Sequence, residues 1–392
     1  MDADQQLAAR AARSVYLVFT ISGLVVSTML SRVPQMRDKL HLRPGPLGLL
    51  LLMTAVGSLV ALPLAGAVVH RIGTTRTVSI MAIVAAVGLG VAGIGTDIGP
   101  AVVGAGLFLF GFGAGQWDVA QNVEGAVVEQ RLGRSIMSRF HAAFSMGTVA
   151  GALAGAAMNA LHVSPAIHYS IVAIFIATVG PFTARGFIGE AETDQAGTGE
   201  RRSPWTAWTE PRTLLIGLFV LSMAFAEGTG NDWLGVATID GYHTTATLGS
   251  FAYVAFVAAM TIGRWFGPRA LDRFGRVLVM RAGALCSIVG VLVVVFGPSV
   301  ATELAGIIVW GLGTALGFPT GMSAAADDPV KAAGRVSAVA TIGYTAFLAG
   351  PSLIGALGNQ SGVLHALTLT AGVLAVGALA AGATKPLTPT NE

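Results

Sequence analysis

Two groups of side chains could do chemistry in this sequence, and both lie in apolar surroundings. The first is "EGTGNDW", residues 227–233, which follows thirteen uncharged residues, 214–226. A carboxylate there is costly unless it faces a cavity, a partner or a proton. Glu227 and Asn231 are four residues apart and share one helical face, while Asp232 is rotated by roughly 140°. The second group is Asp118, Asn122 and Glu129, spaced i, i+4 and i+11, which again lines one face of a helix. Gln116 and Trp117 precede it, and Arg134, Arg139 and His141 follow.

The elements that must hold these groups follow from composition. Of 392 residues, 54% are hydrophobic and 11% are charged, less than half the charge of an ordinary soluble domain. A helix needs about 20 apolar residues to cross a bilayer. Twelve stretches meet that rule: 14–31, 46–69, 77–96, 100–122, 138–160, 166–184, 213–235, 248–266, 277–297, 301–322, 334–357 and 363–383. They are too long and too little alternating for strands. The first ends in "STMLSRVP", without a small-residue cleavage site, and reads as a retained helix.

Gly147, Gly151 and Gly155 recur every fourth residue and predict a close helix–helix seam. A single cysteine, Cys286, excludes an intrachain disulfide, and no histidine has metal-ligand spacing. No cofactor and no nucleic-acid partner is expected. The Gly-rich "GLGTALG" (311–317) lies inside an apolar stretch rather than after a strand, so it is not a nucleotide loop. Enzyme activity is therefore not expected. A channel would need a continuous polar pore, whereas here the charges are isolated.

Cationic residues set the orientation, because Lys and Arg gather on the cytoplasmic flanks of membrane helices. With the N-terminus inside, 19 of the 23 Lys and Arg fall on cytoplasmic segments, Arg264 and Arg212 among them. Arg32, Arg37, Lys39 and Arg43 fall outside. Both termini are thus expected in the cytoplasm, with the chain a multi-pass protein of the cytoplasmic membrane. The polar segment 187–212 reads as a cytoplasmic linker. It separates a first half, 1–186, from a second half, 213–392. Its "WTAWTEPR" end suits a short helix anchored by Trp205 and Trp208.

The halves repeat each other weakly. "HRIGTTR" (70–76) corresponds to "DRFGRVL" (272–278), "GFG" (111–113) to "GLG" (311–313), and Arg139 and Gly147 to Arg335 and Gly343. The loop Asp272-Arg273-Phe274-Gly275-Arg276 resembles the G-x-x-x-D-R-x-G-R signature of major facilitator superfamily transporters. The first copy, Gly66 to Thr74, has His70 in the acidic position beside Arg71. The segments 117–147, 31–42 and 227–233 are further similar to the MosC-like (YbjJ-like) branch of that family.

That resemblance implies an all-α membrane protein with twelve transmembrane helices in two six-helix bundles. It also implies alternating access to a site near the bilayer midplane, a small polar solute, sugar- or polyol-like, and a monomer. Helices one, four, seven and ten would line the cavity. Candidate solute- or proton-binding residues are Glu227, Asn231, Asp118, Trp117, Gln116, Tyr16, Thr20, His141, Thr314 and Tyr344. Thr320, Thr341 and Thr345 add uncharged polarity. Candidate gating or structural residues are Asp232, Arg32, Asn122, Glu129, Arg139, Arg71, Asp272, Arg273 and Arg276.

Counted from residue 213, Glu227 lies about 21 Å along its helix and Asp232 about 29 Å. This puts Glu227 in the outer half of the bilayer, where desolvation disfavours a bare carboxylate and suits proton coupling. Asp232 comes near the outer surface, with Arg32 and Arg37 as possible partners. Gly228 and Gly230 allow a bend between them, and Pro319 predicts a kink in the tenth helix.

The function expected is secondary active transport of a small polar solute, coupled to protons, with the lipid bilayer as the other partner. Export of drugs or amphiphiles and a non-transporting membrane sensor are the alternatives. The orientation is checked by fusions after Glu392. A fluorescent protein should fluoresce there and alkaline phosphatase should stay inactive. Active phosphatase would reverse the topology.

Overall fold

The computed structural model describes residues 3–42, 44–188, 204–244 and 246–387. Most of the expected linker, with Arg201 and Arg202, and the outer-flank Arg43 lie outside the described residues. The described chain is helical, and no strand occurs among its residues. In the first half the helices are α1 (Ala3–Ser31), α2 (Val33–Lys39), α3 (Pro44–Ile98), α4 (Pro100–Leu132), α5 (Met137–Ala160) and α6 (Pro165–Ala184). A 3-10 helix, Pro204–Thr209, precedes the second half. That half holds α7 (Pro211–Gly241), α8 (Ala246–Phe266), α9 (Pro268–Phe274), α10 (Arg276–Phe296), α11 (Val300–Thr314) and α12 (Gly317–Ala325). It ends with α13 (Ala332–Ser361), α14 (Val363–Ala366), α15 (Thr368–Ala380) and a 3-10 turn, Ala381–Thr384.

Helix starts obey simple chemistry. Pro100, Pro165, Pro211 and Pro268 open their helices, where a missing N–H costs nothing and the fixed φ already suits a helix. Ser164 and Ser299 cap α6 and α11 with their hydroxyls, the latter in a reciprocal capping box with Thr302. α3 is interrupted at Gly73, whose φ of 80° breaks the helix into two stretches. Gly275, between α9 and α10, has φ 78°. These are the two glycines of the repeated loop, and both hold a conformation that side chains resist.

Nine helical stretches among the described residues are long and apolar enough to cross a membrane. One of the nine, Leu49–Ile98, contains the break at Gly73. The described part of α8 adds a shorter apolar stretch, Phe251–Phe266. The twelve expected stretches are thus confirmed only in part.

The chain forms two compact units. The first is built from α1 to α6, without Arg134–Arg139, and takes in Pro329–Ser337. The second is built from the remaining helices of the second half and takes in Arg134–Arg139.

The glycine seam of α5 lies against α1. A Cβ on Gly147 would strike the carbonyl of Thr20 and come within 3.0 Å of the Leu24 nitrogen. One on Gly151 would strike the Leu24 carbonyl, and one on Gly155 the Ser31 hydroxyl. Apolar helices in lipid gain no hydrophobic energy by pairing, so this backbone-to-backbone approach holds them together. Gly147→Val should cost at least about 1–3 kcal/mol by overpacking, read as a lower unfolding midpoint in detergent. Gly90→Ala, whose new methyl meets only Ala173 at 3.9 Å, should leave the midpoint unchanged.

Candidate functional site

In the second unit α7 runs unbroken from Pro211 to Gly241, 31 residues. The bend expected at Gly228 and Gly230 is absent. Both glycines keep helical geometry, and their missing side chains make room for the rings of Phe347 and Phe256. Glu227 is the seventeenth of the 31 residues, near the middle of α7.

Glu227 is ion-paired. Both carboxylate oxygens accept from Nη2 of Arg264 on α8, at 2.8 and 2.7 Å. Arg264 also donates through Nε to the carbonyl of Ala315, beyond the end of α11, at 3.3 Å. Its side chain is 6% exposed and that of Glu227 15%. Arg264 lies in the last turn of α8, yet its charge is spent on Glu227. The warning lay in its position within an apolar block, "TIGRWF", the same context that singled out Glu227.

An aromatic strip adjoins the pair. Phe347 of α13 packs on Gly228, next to Glu227. Its ring centroid is 5.8 Å from that of Tyr344, which lies 6.1 Å from that of Phe318, both edge-on. Asn231, one turn beyond Glu227, is half-buried. Asp232 is exposed and within electrostatic range of Tyr253 on α8.

Arg32 and Arg37, the arginines expected beside Asp232, each have partners of their own within the first unit. Arg32 is 1% exposed and donates to the carbonyls of Gly155 and Val163 in the first unit. Burial lowers its pKa, while Tyr169 beside it acts in the opposite sense. Arg37 pairs with its sequence neighbour Asp38 at 2.7 Å, a contact that closes almost no loop and so costs little chain entropy.

Thr314 is turned into the α10–α11 seam, 3.0 Å from the hydroxyl of Ser287 and bonded to the Trp310 carbonyl. It is packing, not lining. Pro319 lies in the first turn of α12, and the helix breaks just before it, at Ala315–Leu316. Proline is tolerated in a first turn, so the expected kink occurs as a break between α11 and α12.

In the first unit, α4 and α5 share a polar chain. Gln121 and Asn122 donate to Asp118 Oδ1 at 3.0 and 3.3 Å. The Asn122 Oδ1 meets His141 Nε2 at 3.1 Å. The ring of Phe19 on α1 lies edge-on to His141, and Tyr16 is edge-on to Phe140. Asp118, Asn122 and His141 are therefore brought together, with Tyr16 against the neighbouring Phe140. Thr20 spends its hydroxyl on the Tyr16 carbonyl. Gln116 and Trp117 are buried, and Trp117 points toward Gly180 of α6. Glu129 is buried further along α4, three turns from Asp118.

The two repeated loops carry matching anchors. After Gly275, Arg276 reaches Asp327 at 2.5 Å and Ser323 at 2.8 Å. Asp327 also accepts from Arg212 at 2.6 Å, and Arg212 bonds the Lys385 carbonyl. After Gly73, Thr74 takes the equivalent place and donates to Glu124 at 2.7 Å. The other oxygen of Glu124 accepts from the Ile188 nitrogen at 2.6 Å. In each unit one acid thus ties the residue after the turn glycine to a later segment.

Within the second unit Asp272 accepts from the Ser135 nitrogen at 3.0 Å, and Arg139 donates to the Trp265 carbonyl at 3.4 Å. Arg273 lies over the Phe274 ring, and Arg71 is exposed. Asp327 escaped the sequence reading, because it sits in the polar run "DDPVK" that resembles any exposed loop.

Long apolar helices, paired glycine turns and an ion pair inside an apolar segment fit a membrane protein, and the class is given by its family. The chain belongs to the Major Facilitator Superfamily, whose family model matches residues 15–346. It is 30% identical over 351 residues to y4wD, an uncharacterized transporter of Sinorhizobium fredii, covering 89% of this chain and 91% of that one. It is 29% identical over 372 residues to the membrane protein MosC of Rhizobium meliloti, covering 94% and 88%. Among solved structures, a variant of the E. coli fucose:proton symporter FucP superposes with a TM-score of 0.81 over 96% of this chain and 98% of that one, at 15% identity. This chain therefore shares the fold of that symporter and belongs to a family of transporters.

Removing one member of the Glu227–Arg264 pair strands the other in an apolar setting. Glu227→Gln should lower stability by up to about 3 kcal/mol, read by thermal unfolding in detergent. Glu227→Gln combined with Arg264→Gln should recover much of the loss. Additive losses would show that the two side chains do not depend on each other.

Proposed function

We propose that this protein is a proton-coupled carrier of a small hydroxylated solute, and that Glu227 is its coupling carboxylate. The observation that carries the reading is the Glu227–Arg264 pair at the middle of α7. A carboxylate in that setting is satisfied in two ways, by the guanidinium or by a proton. Movement of α7 against α8 separates the pair, and Glu227 then takes up a proton. Return of Arg264 releases it. Coupling follows when solute binding controls that separation.

The solute class rests on the neighbouring groups. Phe318, Tyr344 and Phe347 form an aromatic strip next to a charged pair and Asn231. Apolar walls with a few fixed polar groups suit a compact, hydroxyl-rich molecule. The structural relative FucP is described as a fucose:proton symporter, which agrees with this reading at the level of fold. In the first unit, Asp118, Asn122 and His141 form the second candidate polar group.

In this reading residues 1–186 and 213–392 are two halves joined by 187–212. They work as a monomer in the cytoplasmic membrane with both termini inside. Asp232 and the loop residues Asp272, Arg273 and Arg276 serve gating.

The test is flux in proteoliposomes under an imposed pH gradient, with labelled L-fucose, a pentose and a polyol, and with a lipophilic cation alongside. The wild type should accumulate a neutral solute uphill. Glu227→Gln should lose that accumulation and keep solute exchange. Normal accumulation by the variant removes Glu227 from coupling. Movement of the lipophilic cation alone turns the reading to export of amphiphiles, and no movement of any solute favours a sensor.

A further inference from the structure

Glu303 is another carboxylate inside the second unit, and no cation pairs with it among the described residues. It lies in the first turn of α11 and is fully buried. Its Oε2 meets no hydrogen-bond donor among those residues. Its Oε1 is 2.6 Å from the hydroxyl oxygen of Thr238 on α7.

That hydroxyl is already committed. Thr238 Oγ1 is 2.9 Å from the carbonyl of Leu234, one turn back on its own helix. A hydroxyl carries one hydrogen. If it goes to the Leu234 carbonyl, a bare carboxylate would face a lone pair at 2.6 Å. If it goes to Glu303, the second oxygen of a buried anion still has nothing. A proton on Glu303 resolves both difficulties. The carboxyl then donates to Thr238, and Thr238 donates to Leu234.

The described surroundings supply no alternative donor. α11 is packed by α7, α8 and α10. From α7, Tyr242 is the titratable group within electrostatic range. Its phenol hydrogen is used by the carbonyls of Val294 and Gly297, at 2.6 and 3.2 Å. Asp240 on the same helix is exposed. α8 carries Tyr253, which faces Asp232, and Arg264, which is held at the opposite end of α11 by Glu227 and the Ala315 carbonyl. α10 carries Arg276 and Arg281 near its start and the exposed Cys286, while its contacts to Tyr242 lie at its far end. An isolated buried carboxylate without a cation costs several kcal/mol and is normally neutralised instead.

We propose that Glu303 is a proton-binding site, distinct from Glu227, whose carboxyl proton is donated to Thr238 and closes the seam between α7 and α11. Thr238 lies eleven residues beyond Glu227 on α7, about 16 Å along the axis and within about 20° of the same face. One helix therefore carries both events. Loss of the proton sets two acceptors against each other and loosens the far end of α7. The site stands without the transport reading, but a part for it in coupling rests on that reading.

Infrared spectra of the purified full-length protein test this without any solute. The wild type should show the carbonyl stretch of a protonated carboxyl at neutral pH. Glu303→Gln, whose amide can donate to Thr238 in the same way, should keep the unfolding midpoint and lose that band. Glu227→Gln should retain it. In Thr238→Val the band should persist at a shifted frequency, which keeps the test decisive if Glu303→Gln fails to fold. No band attributable to Glu303 in these spectra overturns the proposal. So does a sodium-dependent rise in the unfolding midpoint that Glu303→Gln abolishes, since that makes the ligand a metal cation. Neither result bears on whether solute moves, and a protein that carries no solute can still show the band.

Discussion

A charge inside apolar helices must be neutralised on the spot, and this structure is arranged around that requirement. Water would stabilise a lone carboxylate, but neighbouring side chains cannot unless a cation or a proton is placed within hydrogen-bond reach. Glu227 and Arg264 satisfy each other across α7 and α8. The pair fixes how those helices face, because a turn of either by one residue would leave two buried charges exposed to hydrocarbon. Gly228 and Gly230, just beyond Glu227, then make room for the rings of Phe347 and Phe256. An ion pair of this kind adds little net stability, yet it is expensive to break, which is the property a switch needs.

The same constraint is met differently elsewhere in the chain. Asp327 is flanked by two arginines, Arg212 and Arg276. Glu124, its counterpart in the first unit, is served by a threonine hydroxyl and a backbone nitrogen. The two repeats thus keep one geometry, an acid anchoring the residue after a positive-φ glycine, with different chemistry. Thr74 stands where the second repeat has Arg276, so a neutral hydroxyl takes the place of a guanidinium at that position. Arg32 is the inverse case, a buried cation held by carbonyl groups.

Much of this was legible from residue types. The apolar blocks, the glycine seam of α5, the break near Pro319 and the family itself could all be read, because each depends on local pattern. Glu227 was legible as an anomaly, since an acid in an uncharged run demands a reason. Arg264 and Glu303 obeyed the same rule and were missed. One was counted as a flank charge, and the other lay just inside the start of a block. Asp327 carried no such mark, because an acid next to a proline in a short polar run looks solvated.

By itself the sequence determined that this chain is a helical membrane protein of a transporter family, built from a repeated unit. Those conclusions rest on length, apolar content and short motifs, which are properties of neighbouring residues. Tertiary structure alone decided which charges meet. Arg264 is 37 positions from Glu227, and Thr238 is 65 from Glu303. It also turned Thr314 into a seam. Pairing across helices depends on their rotation and axial offset, which are set by packing over many residues and leave no local trace in the chain.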